Sequence, residues 1–180
     1  MRLTGITTVL ASLCLAAALL ATTAAHAKEA VLREGQATEQ QLLDALAPPL
    51  SRQWAPGERP PPAKASLLVT FVTNSAELTA GSQRLLDTLA RALKNERLAA
   101  LRFTIEGHAD PRGGAEFNQR LSQARAEKVR EYLVAQHGLD AARLQPEGKG
   151  ASELLNRQRP SAPENRRVTI VARPLRPRAP

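Results

Sequence analysis

Apolar and polar positions change period several times along this chain, and each change marks an element. A largely apolar run from Ile6 to Leu20 comes first, with Arg2 as the one charged side chain before Lys28. It is followed by Ala25-His26-Ala27, a small-x-small cleavage pattern, so residues 1–27 are expected to be a signal peptide cut after Ala27. The run is short for a spanning helix, which needs about 20 residues. From Lys28 to Ala65 the pattern breaks up. Thr38 to Leu46 fits two turns of helix, with Thr38 as N-cap, Gln41 three residues on, and Pro48-Pro49 as the stop. Pro56, Gly57 and Pro60-Pro61-Pro62 predict a stiff, extended stretch. Residues 28–65 thus read as a Pro-rich leader or linker, in which Trp54 is either a docked anchor or exposed.

Sustained periodicity belongs to Ser66–Ala172. Leu67 to Thr73 reads as a buried strand, and Asn74 to Leu78 as a turn. A helix capped by Thr79 then places Leu85, Leu86, Leu89 and Leu93 on one face. Leu101 to Gly107 predicts a second strand, and His108 to Phe117 a loop holding Pro111, Gly113 and Gly114. A second helix is expected from about Asn118 to His137, with Gly138 as its C-cap. Arg143–Gly148 and Arg167–Ala172 supply the last two strands. The order βαβαββ predicts an α+β or α/β sandwich, its helices packed on a small mixed sheet. Beyond it, Pro174, Pro177 and Pro180 alternate with Arg173, Arg176 and Arg178; residues 173–180 read as a basic, disordered tail. No internal repeat is visible.

Composition narrows the function. At 180 residues and 43% hydrophobic, the chain is long enough to bury one core. With 3% aromatic residues it lacks the girdles of a membrane β-barrel and the stacked rings of a sugar platform. Charge and hydrogen bonds are left as the means of recognition. The single cysteine, Cys14, lies inside the apolar run after Leu13, not behind a small residue at its end, so lipidation is not expected. Removal of residues 1–27 takes away that cysteine and, among charged side chains, only Arg2, so the net charge of +8 becomes +7. An exported chain without cysteine must fold on its core alone.

One helical position is out of place. With Leu121 at zero and roughly 100° per residue, Tyr132, Val129 and Leu133 fall near 20°, 80° and 120°. Gln123, Glu127 and Arg130 fall on an opposite polar face. Arg125, near 40°, lies in the middle of the apolar stripe, where a guanidinium is costly unless an anion meets it. Asp110, in the glycine-containing loop, is the expected partner, with Asn118 capping the helix. Two readings follow: a structural Asp–Arg pair that fixes the loop, or a ligand site in which a carboxylate and a guanidinium match a zwitterion.

These residues resemble the peptidoglycan-binding domain of the OmpA-like family, which includes the peptidoglycan-associated lipoprotein and the flagellar stator protein MotB. The resemblance rests on Gly107-His108-Ala109-Asp110-Pro111-Arg112-Gly113 followed by Asn118 to Ala126. It extends to Phe71–Leu78, Gly148-Lys149-Gly150 and Asn165-Arg166-Arg167-Val168. It covers roughly Leu67 to Ala172. It implies an α+β βαβαββ sandwich that binds the peptide stem of peptidoglycan non-covalently, with Asp110 and Arg125 holding its meso-diaminopimelate residue. Asn74, Asn118 and Arg166 fall at positions that contact or frame the ligand, and Leu121 packs beside it. Ala109 stands where many members carry Thr, and Val72-Thr73 replace an acidic residue common after the first-strand Phe. The resemblance implies a periplasmic protein associated with the cell wall and the outer membrane, with envelope proteins as further partners, and neither cofactor nor catalysis.

Other chemistries fit less well. Glu106, His108 and Asp110 alternate as a metal triad or acid–base pair would, but the mature chain offers only His108 and His137 as imidazoles and no thiol. His108 is expected to order its loop by hydrogen bonding. Ser122 has no His–acid pair to activate it. Export removes nucleic acid as a partner, and no aromatics interleave the basic residues. A stator-like membrane protein with a retained N-terminal helix is the alternative. The cleavage pattern and the lack of a membrane acid speak against it.

Overall fold

A computed structural model describes residues 31–47, 62–72 and 75–174 of the chain. The expectations for the signal peptide, Trp54, Asn74 and the last residues of the tail fall outside this range.

Five strands form one sheet: β1 (Val31–Leu32), β2 (Lys64–Leu67), β3 (Leu101–His108), β4 (Leu144–Gly150) and β5 (Val168–Pro174). Their order is β1-β2-β5-β3-β4. β5 runs antiparallel to both β2 and β3, and β4 runs parallel to β3. A parallel pair needs a long crossover, and here it is α3 (Ala115–His137). Helices α1 (Glu39–Leu46) and α2 (Ala80–Leu93) complete the α+β fold. The order βαβαββ from β2 onward is the expected one. Leu67, Leu86, Leu89, Phe103, Ile105, Leu133 and Ile170 are fully buried between helices and sheet.

Helix α2 forms as its leucine spacing predicts. Thr79 caps it, its side chain accepting the Ser82 N–H. Gly138 ends α3 in the left-handed conformation, φ 62°. The Gly138 N–H bonds the Val134 carbonyl, and the Leu139 N–H reaches back to the Leu133 carbonyl.

Three expectations need correction. First, the leader is not wholly outside the folded unit. Val31–Leu32 pairs with β2, and Leu42, Leu43 and Leu46 of α1 enter the core. The capping box at Thr38 and Gln41 is present as expected. Ion pairs Glu34–Arg84 and Asp44–Arg97 fasten this segment to α2 and to the turn that follows it.

Second, the first strand of the unit lies earlier than Leu67–Thr73. It spans Lys64–Leu67 because its partner β5 begins at Val168, opposite Leu67. The chain then bends toward the start of α2. There the Ser82 hydroxyl accepts the Thr70 N–H at 2.7 Å and donates to the Thr70 carbonyl at 2.8 Å. Phe71 meets Leu78 in an isolated bridge.

Third, α3 begins one turn early. Gly114 occupies the N-cap position, and Asn118 lies inside the helix. The buried face of α3 is Asn118, Ser122, Ala126, Val129 and Leu133, so Arg125 stands at its edge and not at its centre. The N-terminal half of this face is small and polar because the sheet comes very close. A Cβ on Gly107 would strike the Ser122 carbonyl, and one on Gly148 would lie 2.7 Å from the Gln123 nitrogen. The flanking polar residues close the outer edge of β4. Gln119 donates to the Gly148 carbonyl, Gln123 accepts the Gly148 N–H, and Arg130 donates to the Leu144 carbonyl. Pro146, on the same edge register, has no N–H to offer. Groups tied up in this way blunt the edge against pairing with a further strand.

Candidate ligand-binding groove

Three segments meet beyond the C-terminal end of β3: the loop after it, the first turns of α3, and the turn before β5. Between them lies an open groove of about 350 Å³, lined by Ala109, Asp110, Arg112, Phe117, Asn118, Leu121, Arg125 and Arg166. That volume suits one amino-acid-sized group and is at the small end for a ligand site.

Two buried asparagines shape its walls. The Asn118 side chain donates to the carbonyls of Asp110 and Arg112, folding the loop back onto α3. It is therefore a loop staple and not the helix N-cap. Asn165 does the same on the other wall: its amide donates to the carbonyls of Asn156, Arg159 and Pro160, and its Oδ1 accepts the Asn156 N–H. Gly113, at φ 91°, supplies the left-handed turn of the Asp110 loop.

Asp110 is 5% exposed and fully engaged. Its Oδ1 accepts the Arg112 N–H at 3.1 Å and the Arg112 Nε–H at 3.0 Å. Its Oδ2 accepts from Arg112 Nη2 and Arg166 Nη1, each at 2.7 Å. The Arg112 hydrogen bond, with that of Arg166, holds the carboxyl well below the usual carboxylate range against the opposing effect of burial.

Arg125 does not pair with Asp110. The ion pairs of Asp110 are with Arg112 and Arg166. Arg125 stacks its guanidinium over the Phe71 ring at 4.8 Å and donates from Nε to the Ser75 carbonyl at 3.3 Å. Its two terminal nitrogens have no hydrogen-bond partner among the described residues. Burial lowers its pKa, helped by the nearby Arg166 cation and opposed by Asp110. Among the described residues the groove therefore holds one bound carboxylate and three guanidiniums, one of them with unpaired donors.

Of the residues expected at the site, Asp110, Asn118, Leu121, Arg125 and Arg166 converge on this groove. Asn74 lies outside the described residues. Arg112 and Phe117 were not singled out as site residues. Arg112 is two positions from Asp110, a spacing that lets a side chain fold back on its neighbour. Phe117 is 49% exposed, one turn before Leu121, and with Val72 is one of two exposed large hydrophobics among the described residues.

His108 departs from expectation. It is 3% exposed, and neither ring nitrogen has a hydrogen-bond partner among the described residues. Glu106 is 3.7 Å away, too far for a hydrogen bond. The backbone N–H of His108 donates to the Arg167 carbonyl at 2.9 Å. Burial, against the pull of Glu106, pushes the imidazole pKa down. No group of three or more His, Cys, Asp or Glu that could hold a metal occurs among the described residues.

Comparison with known proteins bears on the family and the fold. The model of the OmpA family matches residues 70–167. The chain is 36% identical to the probable lipoprotein YiaD of Escherichia coli, over 59% of this chain and 48% of that protein. It is 35% identical to the peptidoglycan-associated lipoprotein of Pseudomonas aeruginosa, over 56% of this chain and 58% of the relative. The chain thus spans about half the length of these relatives. Among solved structures, the peptidoglycan-associated lipoprotein from Burkholderia pseudomallei superposes with a TM-score of 0.50 at 31% identity, covering 60% of this chain and 89% of the other. The periplasmic domain of Helicobacter pylori MotB (residues 90–256) reaches 0.53 at 17% identity, covering 63% of this chain and 74% of the other, which shows the fold.

Proposed function

Given that this chain belongs to the OmpA family, whose members bind or support and do not catalyse, we propose that it binds peptidoglycan non-covalently. The ligand is the peptide stem, held by its diaminopimelate residue, and the role is that of an envelope anchor or adaptor in the periplasm. One observation carries the reading: Asp110 and Arg125 line the same groove, and the terminal donors of Arg125 have no partner among the described residues. The far end of a diaminopimelate side chain carries an ammonium and a carboxylate. Asp110 receives the first and Arg125 the second. Asn118 and Arg166 hold the frame, and Leu121 packs against the side-chain methylenes. Outer-membrane or other envelope proteins are the further partners of this role, and residues 1–27 direct export and are removed by cleavage after Ala27.

Titration calorimetry with purified stem peptides, alongside pull-down on sacculi, tests the reading. Losing one partner of a desolvated charge pair costs roughly 2–5 kcal/mol, about 30-fold or more in affinity. Arg125→Ala and Asp110→Asn are therefore expected to abolish pull-down in proteins that still unfold cooperatively. Lysine-type stems, which lack the terminal carboxylate, are expected to bind more weakly than diaminopimelate-type stems. Equal affinity for the two stems, or undiminished binding by both variants, overturns the assignment. Intact-mass measurement of the exported protein checks for Lys28 at its N-terminus.

A further inference from the structure

A carboxylate has about four lone-pair positions, and four donors already fill those of Asp110. An incoming ammonium finds none vacant. Since the carboxyl is 5% exposed, it has no spare face to turn outward. One resident donor must leave before a cationic ligand can bind.

The two arginines on Asp110 are not equivalent. Arg166 follows the buried Asn165, has a second acceptor in the Ser161 carbonyl, and its side chain is 39% exposed. The Arg112 side chain is 65% exposed, and each of its hydrogen bonds goes to Asp110. It stands in a loop next to Gly113 and Gly114, and water can solvate its guanidinium as soon as it swings away. Arg112, the more exposed of the two and without a second acceptor, is the one that water can take up.

We propose that Arg112 is a resident cation that occupies the place of the ligand's ammonium and sets which ligands the groove takes. This rests on the reading of the groove as a site for the diaminopimelate end of a stem peptide, and goes beyond it. Binding is an exchange of ion-pair partners on Asp110: the ligand ammonium replaces Arg112, and the ligand carboxylate meets Arg125. The contest with Arg112 sets a threshold that weak cations do not pass. A stem whose ammonium is acylated, as in a cross-link, cannot displace Arg112 at all.

The test is calorimetry on the processed full chain with two synthetic diaminopimelate tripeptides, one with a free side-chain ammonium and one with that nitrogen acetylated. The readout is the ratio of the acetylated Kd to the free-ammonium Kd, taken at high ionic strength, where the general loss of one positive charge is screened. Only the Arg112 side of this pair is exposed, and water takes up its guanidinium on release, so its loss is expected to shift the equilibrium a few-fold, raising the ratio about threefold to fivefold in Arg112→Gln. Arg112→Lys, which restores a competing cation, returns it toward the wild-type value. A ratio unchanged or lowered in Arg112→Gln overturns the proposal and makes Arg112 a bystander or a direct ligand contact. Wild-type binding that is lost in Asp110→Asn, together with an unchanged ratio, removes only this inference. Absence of wild-type binding to the free-ammonium peptide removes the reading of the groove as well.

Discussion

The two halves of α3 are held in opposite ways. Toward its C-terminus, Val129 and Leu133 sink into the apolar core and Gly138 closes the helix. Toward its N-terminus, the buried positions are Asn118 and Ser122, and Gly107 and Gly148 bring the sheet almost into contact with the helix backbone. The first half is fixed by transfer of apolar surface, which tolerates some misfit. The second is fixed by hydrogen bonds and close backbone packing, which do not. The groove is built on the second, where rigid placement of charges matters more than stability.

Substitutions at the two ends can break this contrast. Leu133→Ala is expected to destabilise by about 2–5 kcal/mol in chemical denaturation, as for other fully buried leucines. Below its unfolding transition, however, it is expected to bind stem peptide with wild-type affinity. Gly107→Ala adds one methyl against the Ser122 carbonyl, an overpacking that costs about 1–3 kcal/mol. This variant is expected to lose ligand affinity too, because the strand that carries Asp110 must move. Equal effects on binding from both substitutions would end the distinction between the halves.

The walls of the groove allow a finer comparison. Asn165→Ala leaves buried carbonyls without donors and is expected to cost about 1–3 kcal/mol, with weakened binding as Arg166 loses its support. Asn118→Ala is expected to act likewise on the Asp110 loop. Were either variant to keep full affinity, its wall would not be needed for placement.

His108, two residues before Asp110, gives the region a pH dependence. Its pKa is lowered by burial, so the unfolded chain holds a proton below about pH 6.5 that the folded chain releases. Stability is therefore complete above about pH 6.5 and falls as pH drops below it, with a slope of at most about 1.4 kcal/mol per pH unit. Denaturation midpoints are expected to decrease from pH 7.5 to 5.5, and His108→Gln is expected to flatten that decrease. Ligand binding is expected to respond less, since Asp110 stays ionised throughout this range.

The smallest effect is at the sheet edge. Gln123→Ala frees the Gly148 N–H and is expected to cost about 0.5–1.5 kcal/mol, read from the denaturation midpoint. Binding is expected to be retained, because Gln123 touches β4 and not the groove.

Much of this arrangement is legible in the residues alone, and the limits have physical causes. The leucine spacing of α2, the apolar alternation of β3 and Gly138 after α3 are local signals, so each predicts its element directly. Thr38 and Gln41 likewise announce the first helix. The same reading misplaces β2 and the start of α3. β2 is set by where β5 begins, and the start of α3 by how the Asp110 loop folds onto Asn118; both are decided by distant chain. Periodicity centred on Leu121 also put Arg125 in mid-stripe. The true buried face runs through Asn118 and Ser122, polar residues that hydropathy counts as exposed.

At the groove, the sequence by itself determined the types of charge present and brought Asp110 and Arg125 to notice. It did not determine the pairing. An ion pair depends on side-chain reach in three dimensions. The nearest guanidiniums to Asp110 are Arg112, by local loop folding, and Arg166, carried in by the turn that Asn165 organises before β5. Tertiary structure alone left the terminal donors of Arg125 unpaired among the described residues, because Phe71 and Ser75 hold its guanidinium at the groove wall while Asp110 is already satisfied elsewhere.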